Sequence, residues 1–403
     1  MRLIGRPSTC LSDLKIIDAA LWTTEQALIE NGCKPRAAGA AVRTGYRGNF
    51  TMQAMAPPSK WASFSSLRVS RAMKNLWESC GDFFTLLVIN LSIYVRHPIW
   101  IARTAYRQRA LPNIAVPKRF REKRTWRLIF DQNPLFHLFG RKMAAKEWMM
   151  KRATGLAAAR TLWSVNSVSE LPLDALRAGI VIKADSGCNQ NLFLNTDPVD
   201  VASIKTLIGE WLRAPQAEKY GGRYWPKAEQ KVFAEEMIIN LDGPLVDLNF
   251  FCCDGKVDFG VLTVGEKTAD ERIAYFTEDG QRIISIMHER VYRRAWLPLD
   301  FAVPAGYAEA AKAAAELSAG IDFIRVDIMV ANGRPYACEM SPFPGEAGYD
   351  TTALYRNWVK NWDIRRTWFV SQPKHGFLER YRQALGRRLG ADQAEDVPLA
   401  SCD

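Results

Sequence analysis

Two runs of alternating residues flank Asn332-Gly333 in FIRVDIMVANGRPYACEMS, and this pairing constrains the fold more than any other feature of the chain. Asn-Gly between such runs is the strongest short-range sign of an antiparallel hairpin, because both turn residues accept positive φ. Side chains alternate faces along a strand, so Arg325 and Asp327 share one face, and Glu339 and Ser341 share one face of the next strand. A two-residue Asn332-Gly333 turn sets Asp327 opposite Cys338 and sends Glu339 to the other side. A three-residue Ala331-Asn332-Gly333 loop pairs Arg325 with Glu339 and leaves Asp327 diagonal to it. Charged residues on a strand otherwise rich in Ile, Val and Phe favour the second register. Two carboxylates there suit Mg2+, which takes hard oxygen ligands and keeps phosphate oxygens in its shell. An Arg-carboxylate ion pair on a solvated face is the equally weighted alternative.

The same texture runs back to about residue 160. LWSV, GIVIKAD, NLFLN, VFAEEMII, LVDLNFFCC and KVDFGVLTV read as strands, and 200–213 and PAGYAEAAKAAAELSAG as helices. Strand pairs with tight turns, mixed with helices, make this part an α+β body rather than a doubly wound parallel sheet. In GIVIKADSGCNQ, Lys183 closes an apolar strand and a turn with Ser186, Gly187 and Asn189 follows, which sets an ammonium and backbone amides around phosphates. The Gly-x-x-x-x-Gly-Lys spacing of a P-loop is absent. In VFAEEMII, Met237 and Ile238 leave a strand where they can flank a purine ring, a pattern shared with any core strand.

Charge divides the chain. Of 54 Lys+Arg and 43 Asp+Glu, the first 160 residues hold 27 and 9, the remainder 27 and 34. A basic front joined to an acidic body argues against a nucleic-acid-coating protein, and no stacking-aromatic motif accompanies the basic charge. The eight cysteines form no C-x-x-C pair and the four histidines are scattered, which argues against a zinc site or a disulfide scaffold. No apolar core of signal-peptide length precedes the first acidic residues, so the expected location is cytoplasmic.

Residues 1–65 read as a poorly ordered segment with one helix over about 11–31, and 66–115 as a basic helical region. Within it FFTLLVINLSIYV (83–95) is uncharged, shorter than the ~20 residues that cross a bilayer, and flanked by Arg68, Arg71, Lys74, Arg103, Arg107 and Arg109. That is the pattern of a helix lying in an anionic membrane surface, at its inner face. A short buried helix is the more favoured expectation. PKRFREKRTWRLIFDQNPLF and RKMAAKEWMMKRATG read as two amphipathic basic helices separated by Asn133-Pro134. The main domain is placed at 116–370, with a C-terminal helix and tail over 371–403.

Taken in order, these residues resemble the ATP-grasp superfamily, and within it the TupA-like branch associated with teichuronopeptide biosynthesis, over about 117–349. The branch's Lys-x-Phe-x-Glu-Lys segment is similar to 118–123 and its Asn-Pro-Leu step to 133–135. Its Asp-Lys step has Arg141 for the aspartate but retains Lys142 and Lys146. The resemblance implies two α+β subdomains clamping ATP. It makes Lys146 and Lys183 phosphate contacts, Ser186 and Gly187 part of the phosphate-covering loop, and Glu235, Glu236, Met237 and Ile238 the adenine hinge. It further implies a ribose contact at Asp247, Mg2+ held by Asp327, Glu339 and Ser341, and Arg325 steadying the transferred phosphoryl group. Five further positions depart from the expected pattern. Cys188, Asn189 and Gln190 replace Ser-Gly-Gly, Asn249 replaces a lysine, and Ser341 stands where ATP-grasp proteins commonly have asparagine.

The implied activity joins a carboxylate to an amine through an acyl phosphate, in building or modifying a cell-surface polysaccharide or polypeptide. The chemistry rests on positioning and charge neutralisation, so no Ser-His-Asp or Cys-His group is needed. YGGRYWPK (220–227) and VYRRAW (291–296) offer aromatic faces and positive charge suited to an acidic sugar or amino-acid polymer. The departures also suit a catalytically degenerate protein serving as a membrane-associated polysaccharide assembly or glycosyl-transfer component.

Overall fold

A computed structural model of the chain describes residues 62–187, 189–213, 230–241, 243–266, 268–284, 295–345 and 353–395. The expected helix at 11–31, the segments 220–227 and 291–294, and Cys188 lie outside the described residues. The chain divides into Met1–Ser65 and Ser66–Asp403, and the account below concerns the second unit.

Helices α1 (Ala62–Arg96) and α2 (Pro98–Gln108) come first. Three helices then follow where two were expected: α3 (Phe120–Phe130), α4 (Pro134–Phe139) and α5 (Lys142–Arg152). Asn133 caps α4, its side chain accepting from the Leu135 N–H at 3.0 Å, and Pro134 occupies the first turn, where no amide is missed. Gly140 then ends α4 after six residues, so α5 starts afresh.

Antiparallel strands β1 (Thr161–Val165), β2 (Ile180–Ala184), β3 (Asn191–Leu194) and β4 (Val232–Glu236) form a sheet in the order β1-β4-β2-β3. Ile180, Ile182, Ala184, Val232 and Ala234 cover one face and pack on Ile204, Ile208 and Trp211 of α6 (Val201–Arg213). By alternation Lys183, Phe233 and Glu235 occupy the other face.

The second sheet contains β5 (Val246–Cys253), β6 (Lys256–Val264), β7 (Arg272–Phe276), the short β8 (Ala295–Trp296), β9 (Ile324–Ala331) and β10 (Arg334–Ser341), in the order β10-β9-β5-β6-β7-β8. Strands β7 and β8 were not foreseen. One face packs on the alanine-rich helix α7 (Tyr307–Ser318), whose Ala310, Ala313, Ala314 and Leu317 recur at helical spacing. Against the other face lies an aromatic core in which Phe251, Phe259 and Phe323 meet Trp358 of α8 (Ala353–Asn361) and Trp362.

The β9–β10 hairpin corrects the favoured register. The turn is the two-residue Asn332-Gly333, with φ of 51° and 68°, and Ala331 pairs with Arg334 instead of joining the loop. Ala337 faces Ile328 but Glu339 faces Asp327, so Cys338 is the extra residue of a β-bulge. The bulge undoes the parity imposed by the short turn. Glu339 therefore stands directly opposite Asp327, and Ser341 opposite Arg325.

Helix α3 is not the surface helix its basic composition suggests. Arg121, Glu122, Lys123 and Arg127 are buried. Glu122 accepts from the backbone N–H of Asn113, Lys118 and Arg119 at 3.0–3.1 Å and caps its own helix. Lys123 donates to the carbonyls of Val359 (2.6 Å) and Trp362 (2.5 Å). Arg127 pairs with Asp322, donates to the carbonyls of Phe323 and Pro342 at 3.0 and 3.1 Å, and stacks 4.4 Å from the Trp362 ring. Trp126 donates to the Tyr381 hydroxyl, which donates to the Ala115 carbonyl. This bonds α3 to α10 (Gly376–Glu395), which follows the short α9 (Trp368–Ser371).

Asp131 and Asp322 both draw on the Arg127 guanidinium in a dry interior. Burial and the Asp322 charge push the Asp131 carboxyl up to about 7, against the pull of Arg127. Among the described residues Oδ2 of Asp131 meets no hydrogen-bond donor, whereas Oδ1 accepts from the Phe369 N–H. The folded value lies above the unfolded value of about 3.9, so folding takes up a proton. The associated stability is complete below the unfolded pKa and is lost as the pH rises through about 7. Thermal unfolding followed across that window is expected to shift to lower temperature with rising pH. In Asp131→Asn, which keeps the acceptor for Phe369, the slope is expected to flatten.

Candidate active site

The candidate residues lie on both sheets, which are tied together ahead of β1. Backbone bonds of 2.8 Å from Ala157 to Pro335 and from Ala337 to Ala157 join the segment before β1 to β10. Lys146 of α5 and Lys183 of β2 both pair with Glu235 of β4, one on each carboxylate oxygen. Glu235 is 2% exposed, so this carboxylate is committed to the two ammonium groups. Burial opposes its ionisation, but Lys183 and Lys146 outweigh that and hold its pKa below the ordinary value. The ring of Phe233 lies 5.7 Å from the Lys146 nitrogen.

Asp185, which the sequence reading passed over, fastens α5 to the end of β2. Its carboxylate accepts from the Met143 N–H at 2.9 Å and pairs with Arg141 at 3.1 Å, while its carbonyl accepts from the Lys142 N–H. The Lys142 ammonium donates to the carbonyls of Ala184 and Gly187. Lys142 thus holds the loop, and Arg141 ties its start through Asp185. The signal available beforehand was an aspartate immediately after an apolar strand. A cavity of about 580 Å3 opens beside these groups, lined among others by Arg141, Lys146, Asp185, Lys231 and Phe233.

On the second sheet Asn249 of β5, Asp327 of β9 and Glu339 of β10 stand in one row across three strands. Arg325 grips Asp327 with two bonds, Nε to Oδ1 at 2.6 Å and Nη2 to Oδ2. Burial raises the Asp327 carboxyl to about 6, against Arg325 and with the help of Glu339. Ser341 donates to Glu339 at 3.3 Å. The Arg325–Asp327 ion pair is therefore present with a facing Glu339 carboxylate, but Asp327 is buried rather than on a solvated face. The bulged Cys338 lies within electrostatic reach of the lysine pair, its thiol pushed up to about 12 by burial and by Asp247 and Glu235, against Lys183 and Lys146.

Not every expected residue turns toward the cleft. Glu236, one position along β4 from Glu235, pairs instead with Arg160. The Met237 amide donates to the Gly179 carbonyl at 2.9 Å, so that amide is committed within the first sheet. Ser186 donates to the Gln230 side chain at 2.7 Å. Gln190, buried, lies over Gly187 so closely that a Cβ there would meet its Oε1 at 1.9 Å. Asp247 pairs across to Met329 and lies two residues from Asn249 on the same face.

The TupA-like ATPgrasp family profile matches residues 122–358, more than half of the chain. The chain belongs to the TupA-like ATP-grasp family. No curated protein matches it. Among solved structures it is similar to the ATP-grasp ligase PsnB complexed with minimal precursor, at 15% identity and a TM-score of 0.34 over 59% of this chain and 64% of that one. It is similar as well to a D-alanine–D-alanine ligase from Bacillus anthracis complexed with ATP, at 15% identity and TM-score 0.33 over 64% and 68%. A third is the macrocyclase MdnC from Microcystis aeruginosa bound with precursor peptide MdnA, at 12% identity and TM-score 0.30 over 67% and 69%. The chain thus spans just under two thirds of PsnB. The likeness is distant, and the family assignment stands on the sequence match.

Proposed function

We propose that this TupA-like ATP-grasp protein is a cytoplasmic, ATP- and Mg2+-dependent ligase that joins a carboxylate to an amine through an acyl phosphate. Its substrate class is an acidic cell-surface polysaccharide, polypeptide or precursor, following the branch it resembles. The observations that support the reading are the lysine pair on Glu235 in one sheet and the Arg325, Asp327 and Glu339 cluster in the other, with the bulged Cys338 beside Glu339 within electrostatic reach of both lysines.

Lys146 and Lys183 hold phosphate oxygens, and Glu235 keeps the two ammonium groups in place between turnovers. Met237 and Ile238 face the adenine and Asp247 the ribose. Arg325 steadies the transferred phosphoryl group once it leaves Asp327. The donor set fits Mg2+, since Asp327 and Glu339 supply hard oxygens and Ser341 a hydroxyl. Among the described residues no group of three or more His, Cys, Asp or Glu competes as a metal cage. When bound, the ion neutralises charge on the phosphates. With Asn at 249, a lysine common in the branch is missing beside Asp327, and Arg325 is the cation at that place.

The deciding experiment is ADP release with a panel of acidic sugars and amino acids, alongside thermal unfolding with and without Mg-ATP. Stabilisation by Mg-ATP and acceptor-dependent ADP release are expected, with both lost in Lys183→Ala. No stabilisation by Mg-ATP in the native sequence sinks the reading. The position of Gln190 over Gly187 favours a second one, a degenerate member acting in polysaccharide assembly. Binding of Mg-ATP without ADP release under any acceptor would select it.

A further inference from the structure

Helix α1 has two apolar faces. On one, Ile89 and Ile93 are buried in the aromatic core beside Leu86 and Tyr94. Asn90 bonds to Asn113 and to the Ala115 N–H, and Asp82 pairs with Arg387 of α10. The other face is bare. Phe84 is 63% exposed, Leu91 52% and Val95 80%, with Leu87 and Val88 beside them. A helix with one side in the core ordinarily turns charge to water, and this one turns Phe, Leu and Val.

The bare stripe continues into α2. The His97 N–H donates to the Ile93 carbonyl and the Ile101 N–H to the His97 carbonyl, so helical hydrogen bonding carries through the step at Pro98. Residues 84, 88, 91, 95, 99, 102 and 106 therefore recur at three- and four-residue steps along one side, and Ile99 and Tyr106 are 60% and 86% exposed. Beyond Asp82, which pairs with Arg387, charge along this stripe has one sign. Between Asp82 and Glu122 there are seven Lys or Arg and no acidic residue. Arg96, Arg103, Arg107 and Arg109, all exposed, accompany its C-terminal half.

We propose that the α1–α2 face lies flat on an anionic lipid bilayer, its Phe, Leu and Val side chains among the acyl chains and its arginines at the headgroups. The segment Glu78–Arg96, 19 residues, is long and apolar enough by composition to cross a bilayer. Crossing would strip Ile89 and Ile93 from the core and break the Asn90 and Asp82 contacts, so the helix lies along the surface. Charge favours lipid over the other occupants. Two copies meeting face to face would oppose arginines to arginines. Residues 1–65 carry eight Lys or Arg against four Asp or Glu, and so offer no acidic complement.

The test uses the full chain and sedimented vesicles of phosphatidylcholine alone or mixed with phosphatidylglycerol. Binding is expected only to the mixed vesicles, to weaken with salt, and to be reversed by alkaline carbonate. The double variant Phe84→Glu, Leu91→Glu is expected to reduce binding by more than about tenfold, and Arg103→Glu, Arg107→Glu to reduce it and remove its salt dependence. All of these side chains are exposed, so unfolding temperature and oligomeric state are expected to stay unchanged. The proposal is overturned if mixed vesicles do not bind the native chain, or if the Phe84, Leu91 variant binds as well as the native one. Resistance to carbonate overturns it in favour of a spanning helix. Dissociation of an oligomer by the same variant overturns it in favour of a second copy.

Discussion

Glu235→Gln is expected to lower ATP-dependent ADP release by about a hundredfold, the scale on which displacing positioned groups by an ångström slows an enzyme. The amide is isosteric but neutral, so it leaves two ammonium groups facing each other without the carboxylate that now bridges them. Its NH2 group also replaces an acceptor by a donor opposite one lysine. Repulsion then drives Lys146 and Lys183 apart, and the proposed phosphate site is disordered before a nucleotide arrives. Steady-state kinetics separate this from a merely structural effect. Loss of positioning raises the KM for ATP and lowers kcat, and rescue is expected from Glu235→Asp, which retains the charge. Unchanged kinetics with Gln would show that the bridge has no part in placing the two lysines.

The second large effect is on stability. Arg127→Met removes a fully buried guanidinium and leaves Asp131 and Asp322 in the same dry site. Removing one partner of a buried ion pair typically costs about 3–5 kcal/mol, because the remaining charge is uncompensated. Here the carbonyls of Phe323 and Pro342 lose their donor as well. These two carbonyls lie just before Arg325 and just after Ser341, so the damage reaches the strand ends that carry the candidate metal site. Urea unfolding is expected to show the loss. It is expected to be smaller in acid, where Asp131 takes up a proton, and to be partly relieved by adding Asp131→Asn. A midpoint within error of the native protein would mean that the cluster is solvated and the burial argument wrong.

Much of the body was legible because its signals are local. The break at Asn332-Gly333, the alternation of FIRVDIMV and the spacing of alanines in α7 each depend on neighbours within a few residues, so β9, β10 and α7 follow from the pattern alone, though not the length of the turn. The ordered series of Lys146, Lys183, Glu235, Asp327 and Glu339 was enough to carry the resemblance, which the family match bears out. Basic composition misled at α3, since a buried arginine and a surface arginine look identical until the partner is known, and Asp322 lies 195 residues from Arg127. The apolar run at 83–95 was weighed as either a buried or a membrane-surface helix; α1 buries one face of it and leaves the other exposed.

What the sequence determined by itself was the α+β class, most of its elements and the family to which the chain belongs. The tertiary structure alone decided three matters. The Cys338 bulge turned Glu339 to face Asp327, the 89-residue reach from Lys146 to Glu235 put both lysines on one carboxylate, and α1 buried one apolar side while leaving the other bare. The reason is physical. Periodicity reports which face a residue shares with its near neighbours, whereas register shifts and ion-pair partners depend on contacts between segments distant in the chain, whose energies leave no trace in local pattern.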